Sequence, residues 1–216
     1  METPSDMLWL RGALDPAALN GLDQIADGAS RPGGRVNWTE PEIAQALAPV
    51  TQIIAAQALP NARLVRVVWF NKDPTANWGV PWHQDRVIAV AERHDVLGFQ
   101  NWSRKGEVWH CEPPVETFEH MRFVRVHLDD CDTNNGAMEI ALGSEVEGVV
   151  PNASAAATAA CYPASICTAR RGDIQVLPML VLHRSRPSQN SAPRRALRLD
   201  YAAVNLPPPL NWAAAH

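Results

Sequence analysis

Apolar and polar positions follow two different rhythms along this chain. Up to about residue 60 the apolar residues recur at helical spacing. "LDPAALNGLDQIADG" offers Asp15 as a helix N-cap, Pro16 at the first helical position and Gly28 at the end, and "TEPEIAQALAPVTQIIAAQALP" opens a second periodic run with Thr39, Pro41 and Glu42. Pro49 is expected to kink or split that second helix. Between the two, "GASRPGGRVNW" has the composition of a loop. From residue 62 the rhythm shortens to alternation in "ARLVRVVWF", "VPWHQDRVIAV", "MRFVRVHLDD", "GAMEIAL", "SICTA", "GDIQVLPMLVLHRS" and "RRALRLDYAAV", separated by turns such as "CDTNNG" and "RRGD". Many short strands without βαβ alternation predict an antiparallel barrel or jelly roll with the two helices packed outside. The Ala-rich "PNASAAATAACYP" reads as a short surface helix and "LPPPLNWAAAH" as a polyproline-like tail. The expectation is one domain over residues 1–216: a helical flank over 1–60 and a β core over 61–206 that carries the functional site.

Composition narrows the partners. The 216 residues are 46% hydrophobic and 19% charged, enough for a sizeable core, and the net charge of −4 leaves no basic footprint for nucleic acid. No apolar run has the length of a membrane span, and "METPSDMLWLRG" lacks a basic segment followed by an apolar one, so a cytoplasmic protein with no membrane partner, monomeric or homodimeric, is expected. Cys111, Cys131, Cys161 and Cys167 form no C-x-x-C pair and are expected to be reduced, structural thiols.

The chemistry starts in "VPWHQDRVIAV". If this segment is a strand, His83 and Asp85, two apart, share one face. Alone the pair is weak evidence, since a polar strand end or a buried His–Asp hydrogen bond explains it better than a ligand pair does. His183, at the end of the apolar run "QVLPMLVLHRS", supplies a third donor, and two histidines with one carboxylate are the donor set that leaves open positions on non-haem iron(II). An α-keto acid that donates electrons to such a centre needs a fixed cation for its far carboxylate, and the planar fork of arginine suits it. Arg194 and Arg195 open the last strand, and alternation allows only one of them to face inward.

"WHQD", "NNGAMEIALGS" and "RRGDIQVLPMLVLHRSRPSQNSAPRRALRLDYA", in that order and spacing over roughly residues 62–204, resemble the phytanoyl-CoA dioxygenase family of iron(II)- and 2-oxoglutarate-dependent oxygenases. The resemblance implies a mainly β fold with flanking helices, a double-stranded β-helix (jelly roll, cupin-like), with iron(II), 2-oxoglutarate as co-substrate, and O2. It implies His83, Asp85 and His183 as iron ligands and catalytic centre. It further implies Arg194, eleven residues past the last ligand, as the grip on the far carboxylate of 2-oxoglutarate, with Ser185 assisting and Arg195 on the outer face. Polar residues upstream of the triad help hold the co-substrate in the family, which makes Asn71, Lys72 and Asn77 candidates. Glu145 stands where members commonly have His, a departure that bears on substrate handling or loop structure and not on the metal. The presence of Asp85 disfavours halogenation, which needs a small residue there.

Alternation in "MRFVRVHLDD" sets Arg125 and His127 against Val124, Val126 and Leu128, so the polar pair is a candidate substrate contact. "GFQNWSRKGEVWHCEPP" reads as a long loop able to act as a lid, with Trp102 and Lys105 as further candidates. Asp129, Asp130 and Asp132 precede "TNNG" and read as turn builders, with calcium as the lesser alternative. The function expected is hydroxylation of a small organic molecule, such as an amino acid or another polar metabolite, with release of succinate and CO2. Two rivals stand beside it: a non-catalytic jelly-roll ligand-binding protein, and a zinc-dependent hydrolase using the same donors.

Overall fold

In the computed structural model, which describes residues 7–27, 32–72, 77–189 and 194–214, the elements run β1 (Leu8–Leu10), α1 (Pro16–Asp27), β2 (Gly33–Arg35), α2 (Pro41–Gln57), β3 (Arg63–Lys72), β4 (Val80–His83) and β5 (Ile88–Val90). They continue with β6 (Gln100–Lys105), β7 (Val108–Glu112), α3 (Val115–Glu119), β8 (Met121–His127), β9 (Met138–Ala141), α4 (Ala155–Ala159), β10 (Ala164–Ile166), β11 (Ile174–Pro178), β12 (His183–Ser185) and β13 (Arg194–Ala202). Two antiparallel sheets face each other as a jelly roll: a six-stranded one in the order β1-β11-β8-β13-β3-β2 and a four-stranded one in the order β10-β9-β12-β4. A three-stranded sheet, β5-β7-β6, stands beside them.

The centre of the six-stranded sheet shows why the fold holds. Along β13 the odd positions Leu197, Leu199 and Tyr201 pack outward with Val67, Trp69, Val124 and Val126 against Leu22 of α1 and Leu47, Val50 and Ile54 of α2. The Tyr201 hydroxyl lies 3.0 Å from Thr51 Oγ1 of α2. The even positions Arg194, Arg198 and Asp200 face the four-stranded sheet, so a strand covered on both sides is apolar on one face and charged on the other.

Several boundaries differ from the sequence reading. Asp15 caps α1 as expected, its carboxylate accepting from Ala18 N at 2.8 Å, while Gly28 lies outside the described residues. Helix α2 runs unbroken through Pro49, and Thr39 does not cap it but bonds to Asn37. The flank is not purely helical: β1 pairs with β11, and β2, inside the segment read as a loop, pairs with β3. The run "GDIQVLPMLVLHRS" is two strands, β11 and β12, in opposite sheets, so the chain crosses the sandwich between them. The presumed lid is the β6–β7 hairpin, turned at Gly106 with φ +61°. The Pro-rich tail packs down, with Leu206, Leu210 and Ala213 buried and Trp212 bridging to Val90. Among the described residues no helix is long and apolar enough to cross a membrane.

Candidate metal centre and co-substrate cavity

The four-stranded sheet brings the three donors together. His183 in β12 stands opposite His83 in β4, and their ring centroids are 4.2 Å apart. Asp85 is not in the strand. Backbone pairing stops after His83, and Gln84 holds the irregular segment that follows: its side-chain amide donates to Gly148 O at 2.8 Å and Leu180 O at 2.6 Å, and its oxygen accepts from Val150 N at 2.8 Å. This staple places the Asp85 carboxylate 3.3 Å from His183 Nε2. Ser144 Oγ, fully buried, accepts from Leu182 N at 2.8 Å and secures the entry to β12.

The imidazoles are set for metal. Nδ1 of His83 lies 2.9 Å from Pro81 O and Nδ1 of His183 lies 3.0 Å from Val181 O. A carbonyl oxygen only accepts, so each Nδ1 carries the proton and each Nε2 keeps its lone pair, the arrangement seen in metal-ligating histidines. Burial lowers both rings to about 4; the neighbouring His183 adds to this at His83, and Arg125 adds to it at His183. They therefore stay neutral at physiological pH. One ligand atom from each of His83, Asp85 and His183 fits within 4.8 Å, and this is the one such cluster of donors among the described residues. Two neutral imidazoles and a carboxylate on one side of an open cavity suit iron(II).

That cavity, about 280 Å³, lies between the two sheets and is lined by the triad, Ser185, Phe123 and a set of arginines from the six-stranded sheet. Arg194 is 4% exposed; its nearest polar contact is Cys131 Sγ at 3.9 Å, and its Nε has no hydrogen-bond partner among the described residues. Among the described residues no carboxylate pairs with this guanidinium; a buried guanidinium without one is costly, and a dicarboxylic ligand would supply the partner. Arg195 points outward, donating to Asp129 at 2.7 Å and lying 3.2 Å from Asp23 of α1. Alternation has thus separated the two as expected.

Lys72, opposite Arg194 in the β3–β13 register, is 1% exposed and donates to Arg186 O at 2.9 Å. Burial, with Arg194 and Arg125 close by, pulls its ammonium down to about 8. Gly136 makes this packing possible: φ is +76°, and a Cβ there would sit 2.7 Å from Arg186 O and 3.1 Å from Lys72 Nζ. Asn71 and Asn77 do not reach the cavity. Asn71 lies on the Arg195 side of its strand, and Asn77 is exposed, exchanging two hydrogen bonds with the Ser188 backbone at 2.6 and 2.8 Å, so it pins a loop.

The substrate candidates divide. Arg125 lines the cavity, with Nη1 3.5 Å from Met138 Sδ and no carboxylate partner among the described residues; burial and Arg194 lower it to about 10. His127 does not line it. It is 2% exposed, stacks on Trp9 with centroids 6.0 Å apart, and neither ring nitrogen has a partner among the described residues. Trp102 packs edge-on against Trp109 at 6.5 Å, and neither Trp102 nor Lys105 lines the cavity, because the segment read as a lid is committed to its own hairpin. Asp132 does build a turn, accepting from Asn134 N and Asn135 N at 2.7 and 2.9 Å, and among the described residues the acidic set forms no metal cluster. Glu145 lies in the 3-10 turn Ser144–Glu147, away from the cavity lining.

Two residues that the sequence reading did not single out complete the site. Arg198 donates to the Asp85 carboxylate through Nη1 and to Asp200 through Nε at 2.7 Å, and its guanidinium lies 4.7 Å over the Phe123 ring. Arg66 lies 3.7 Å from the other Asp200 oxygen. For Arg198 the signal was present, since it has the same parity in β13 as Arg194, and Arg66 stands opposite Asp200 on β3.

The phytanoyl-CoA dioxygenase (PhyH) family profile matches residues 11–196. No functionally curated protein matches the chain. Among solved structures, AviO1 from Streptomyces viridochromogenes Tue57 superposes with a TM-score of 0.66 at 20% identity, covering 95% of this chain and 93% of that one. The non-heme alpha ketoglutarate dependent carbocyclase SnoK from nogalamycin biosynthesis gives 0.66 at 12% identity over 98% and 83%. HygX from Streptomyces hygroscopicus with nickel and 2-oxoglutarate bound gives 0.59 at 14% identity over 92% and 82%. At these identities the likeness is one of fold.

Proposed function

Since the chain belongs to the phytanoyl-CoA dioxygenase family of iron(II)- and 2-oxoglutarate-dependent oxygenases, we propose that His83, Asp85 and His183 hold the iron and that Arg194 holds the far carboxylate of 2-oxoglutarate. In this reading the protein hydroxylates a small organic molecule and releases succinate and CO2. The observation that carries it is the pairing of two proton-locked imidazoles and a carboxylate with a buried arginine that has no carboxylate partner among the described residues, all in one cavity. Two structural neighbours support it: HygX was solved with nickel and 2-oxoglutarate bound, and SnoK is an alpha ketoglutarate dependent carbocyclase.

When bound, the iron and 2-oxoglutarate supply oxygen activation coupled to decarboxylation. The chain's own residues position and exclude. Gln84 and the Pro81 and Val181 carbonyls hold the donors at fixed angles, and such outer partners typically affect metal affinity by about 10–100-fold. Arg194, with Ser185 on the neighbouring wall, offers a bidentate grip that orients the co-substrate along the cavity. Phe123, 5.3 Å from the His183 ring, lines the space beside the triad and keeps water from it.

The test is an anaerobic titration of metal-free protein with iron(II) and then 2-oxoglutarate, watched for a visible charge-transfer band. The expected band needs both additions and is absent from His83→Ala. Iron binding without a band in the wild-type protein would overturn the 2-oxoglutarate assignment.

A further inference from the structure

The six-stranded wall carries more cation than 2-oxoglutarate uses. Arg194 and Arg125 line one end of the cavity, and the buried Lys72, which does not line it, stands opposite Arg194 in the β3–β13 register. Four residues further along β13, Arg198 reaches the level of the triad, and Arg66 follows on β3, so a second cationic group lies beyond the metal donors. Arg66 and Arg198 share one carboxylate, Asp200, at 3.7 and 2.7 Å. The other acid that Arg198 touches is Asp85, whose oxygen a bound metal would claim. Each of the two arginines still has a buried N–H, Arg66 Nε and Arg198 Nη2, with no hydrogen-bond partner among the described residues. Two guanidiniums against one structural carboxylate are unbalanced, and a buried donor left without an acceptor costs about 1–3 kcal/mol.

An acceptor that enters with the substrate corrects the imbalance. We infer that the end of the cavity formed by Arg66 and Arg198 is a subsite for an oxyanion group, carboxylate or phosphate, on the substrate. This rests on the oxygenase reading, in which Arg194 is already taken by the co-substrate. The planar forks of the two arginines match a carboxylate or phosphate edge, and docking the charged end there lays the rest of the molecule over the triad. The cavity, about 280 Å³, admits a small substrate beside 2-oxoglutarate. The positive interior is local, since the chain as a whole carries −4. Burial first, then Arg66, lowers Arg35, and burial first, then Arg35 and Arg66, lowers Lys105, so these two cations stand near Arg66 and the same end extends a positive field outward that would draw an anion in.

The experiment uses protein loaded with iron(II) and saturating 2-oxoglutarate under argon, titrated calorimetrically with benzoate, phenyl phosphate and benzamide, probes that share a ring and differ in charge. At least one anion is expected to bind once per chain while benzamide does not, and whichever anion binds tells carboxylate from phosphate. Arg66→Gln is expected to weaken that binding by roughly tenfold or more, and Arg66→Lys to keep most of it. Failure of both anions to bind, equal binding of benzamide, or wild-type anion affinity in Arg66→Gln would overturn the subsite. The visible band is recorded on the same wild-type sample. Its absence counts against the oxygenase reading, whereas a band with no anion binding counts against the subsite alone.

Discussion

The two walls of the cavity are built differently, and the difference separates metal from ligand. The four-stranded wall holds its donors at the ends of short strands: β4 has four residues and β12 three, and the donors are oriented by neighbouring carbonyls and by Gln84. The six-stranded wall spaces its cations along long strands, ten residues in β3 and nine in β13, from Arg194 and Lys72 at one end of the ladder to Arg198 and Arg66 further along, where register and period-2 alternation place every side chain. One wall is a set of local contacts around a point. The other is a ruler along which positive charge is spaced. A metal needs three atoms converging within a few ångströms, which local contacts can deliver, whereas an extended co-substrate and substrate need charges at fixed separations, which a strand delivers.

Breaking the convergent wall should have the largest effect. Asp85→Ala is expected to lose iron binding by more than the roughly 10–100-fold typical of outer-sphere changes, measured by anaerobic metal titration. Arg194→Ala should leave iron binding intact and raise the 2-oxoglutarate requirement, since truncating one partner of a buried charge pair costs about 2–5 kcal/mol. Read together, the two variants test the division of labour: loss of iron in Arg194→Ala, or its retention in Asp85→Ala, would mean that the walls do not act separately.

Gln84→Ala is a smaller perturbation of the same wall. It leaves Gly148 O, Leu180 O and Val150 N without their side-chain partners. The expected loss of stability is roughly 1–3 kcal/mol in urea unfolding, accompanied by weaker iron binding because the segment leading to Asp85 is loosened. Unchanged iron affinity in a destabilised variant would reduce Gln84 to a packing residue.

How far each wall was legible in the sequence follows from the same contrast. His83 and Asp85 sit two apart in one motif and His183 ends a distinctive apolar run, so the donors could be picked out without knowing the fold. Their mechanism of alignment could not, because Gln84 acts through residues more than sixty positions away. On the other wall the alternation of "RRALRLDYAAV" correctly sent Arg194 and Arg195 to opposite faces. The same alternation carried Arg198 and Asp200 inward, yet a strand pattern alone does not say that its polar face meets a cavity. Strands of three residues, such as β1, β2 and β12, are too short to show a period, so the strands in the flank and the crossover between β11 and β12 leave no mark in the sequence. Trp102 and Lys105 were misassigned for a related reason: aromatic and charged residues in an irregular-looking segment suit a lid, but a turn at Gly106 closes them into a hairpin. The shared parity of Arg125 and His127 held, but that strand outruns the cavity, so only Arg125 lines it.

His127 supplies the smallest effect and bears on the six-stranded wall alone. Burial first, then Arg125 and Arg194, push its ring down to about 3, so the folded protein keeps it neutral while the unfolded chain protonates it near 6.5. The folded state therefore binds fewer protons, and stability is lost as pH falls below 6.5 and continues to fall towards 3. By pH 5 this one group should cost about 2 kcal/mol. His83 and His183, lowered to about 4, act in the same direction from the other wall, so the wild-type protein should unfold more readily in acid as a whole. His127→Phe keeps the stacking on Trp9, removes two ring nitrogens that have no hydrogen-bond partner among the described residues, and leaves the metal donors untouched. Its thermal midpoint should match or exceed that of the wild type at pH 7 and fall less steeply between pH 6.5 and 4. An identical slope would mean that the acid sensitivity arises at the metal-binding wall, and that the cations of the other wall impose no such penalty on the imidazole beside them.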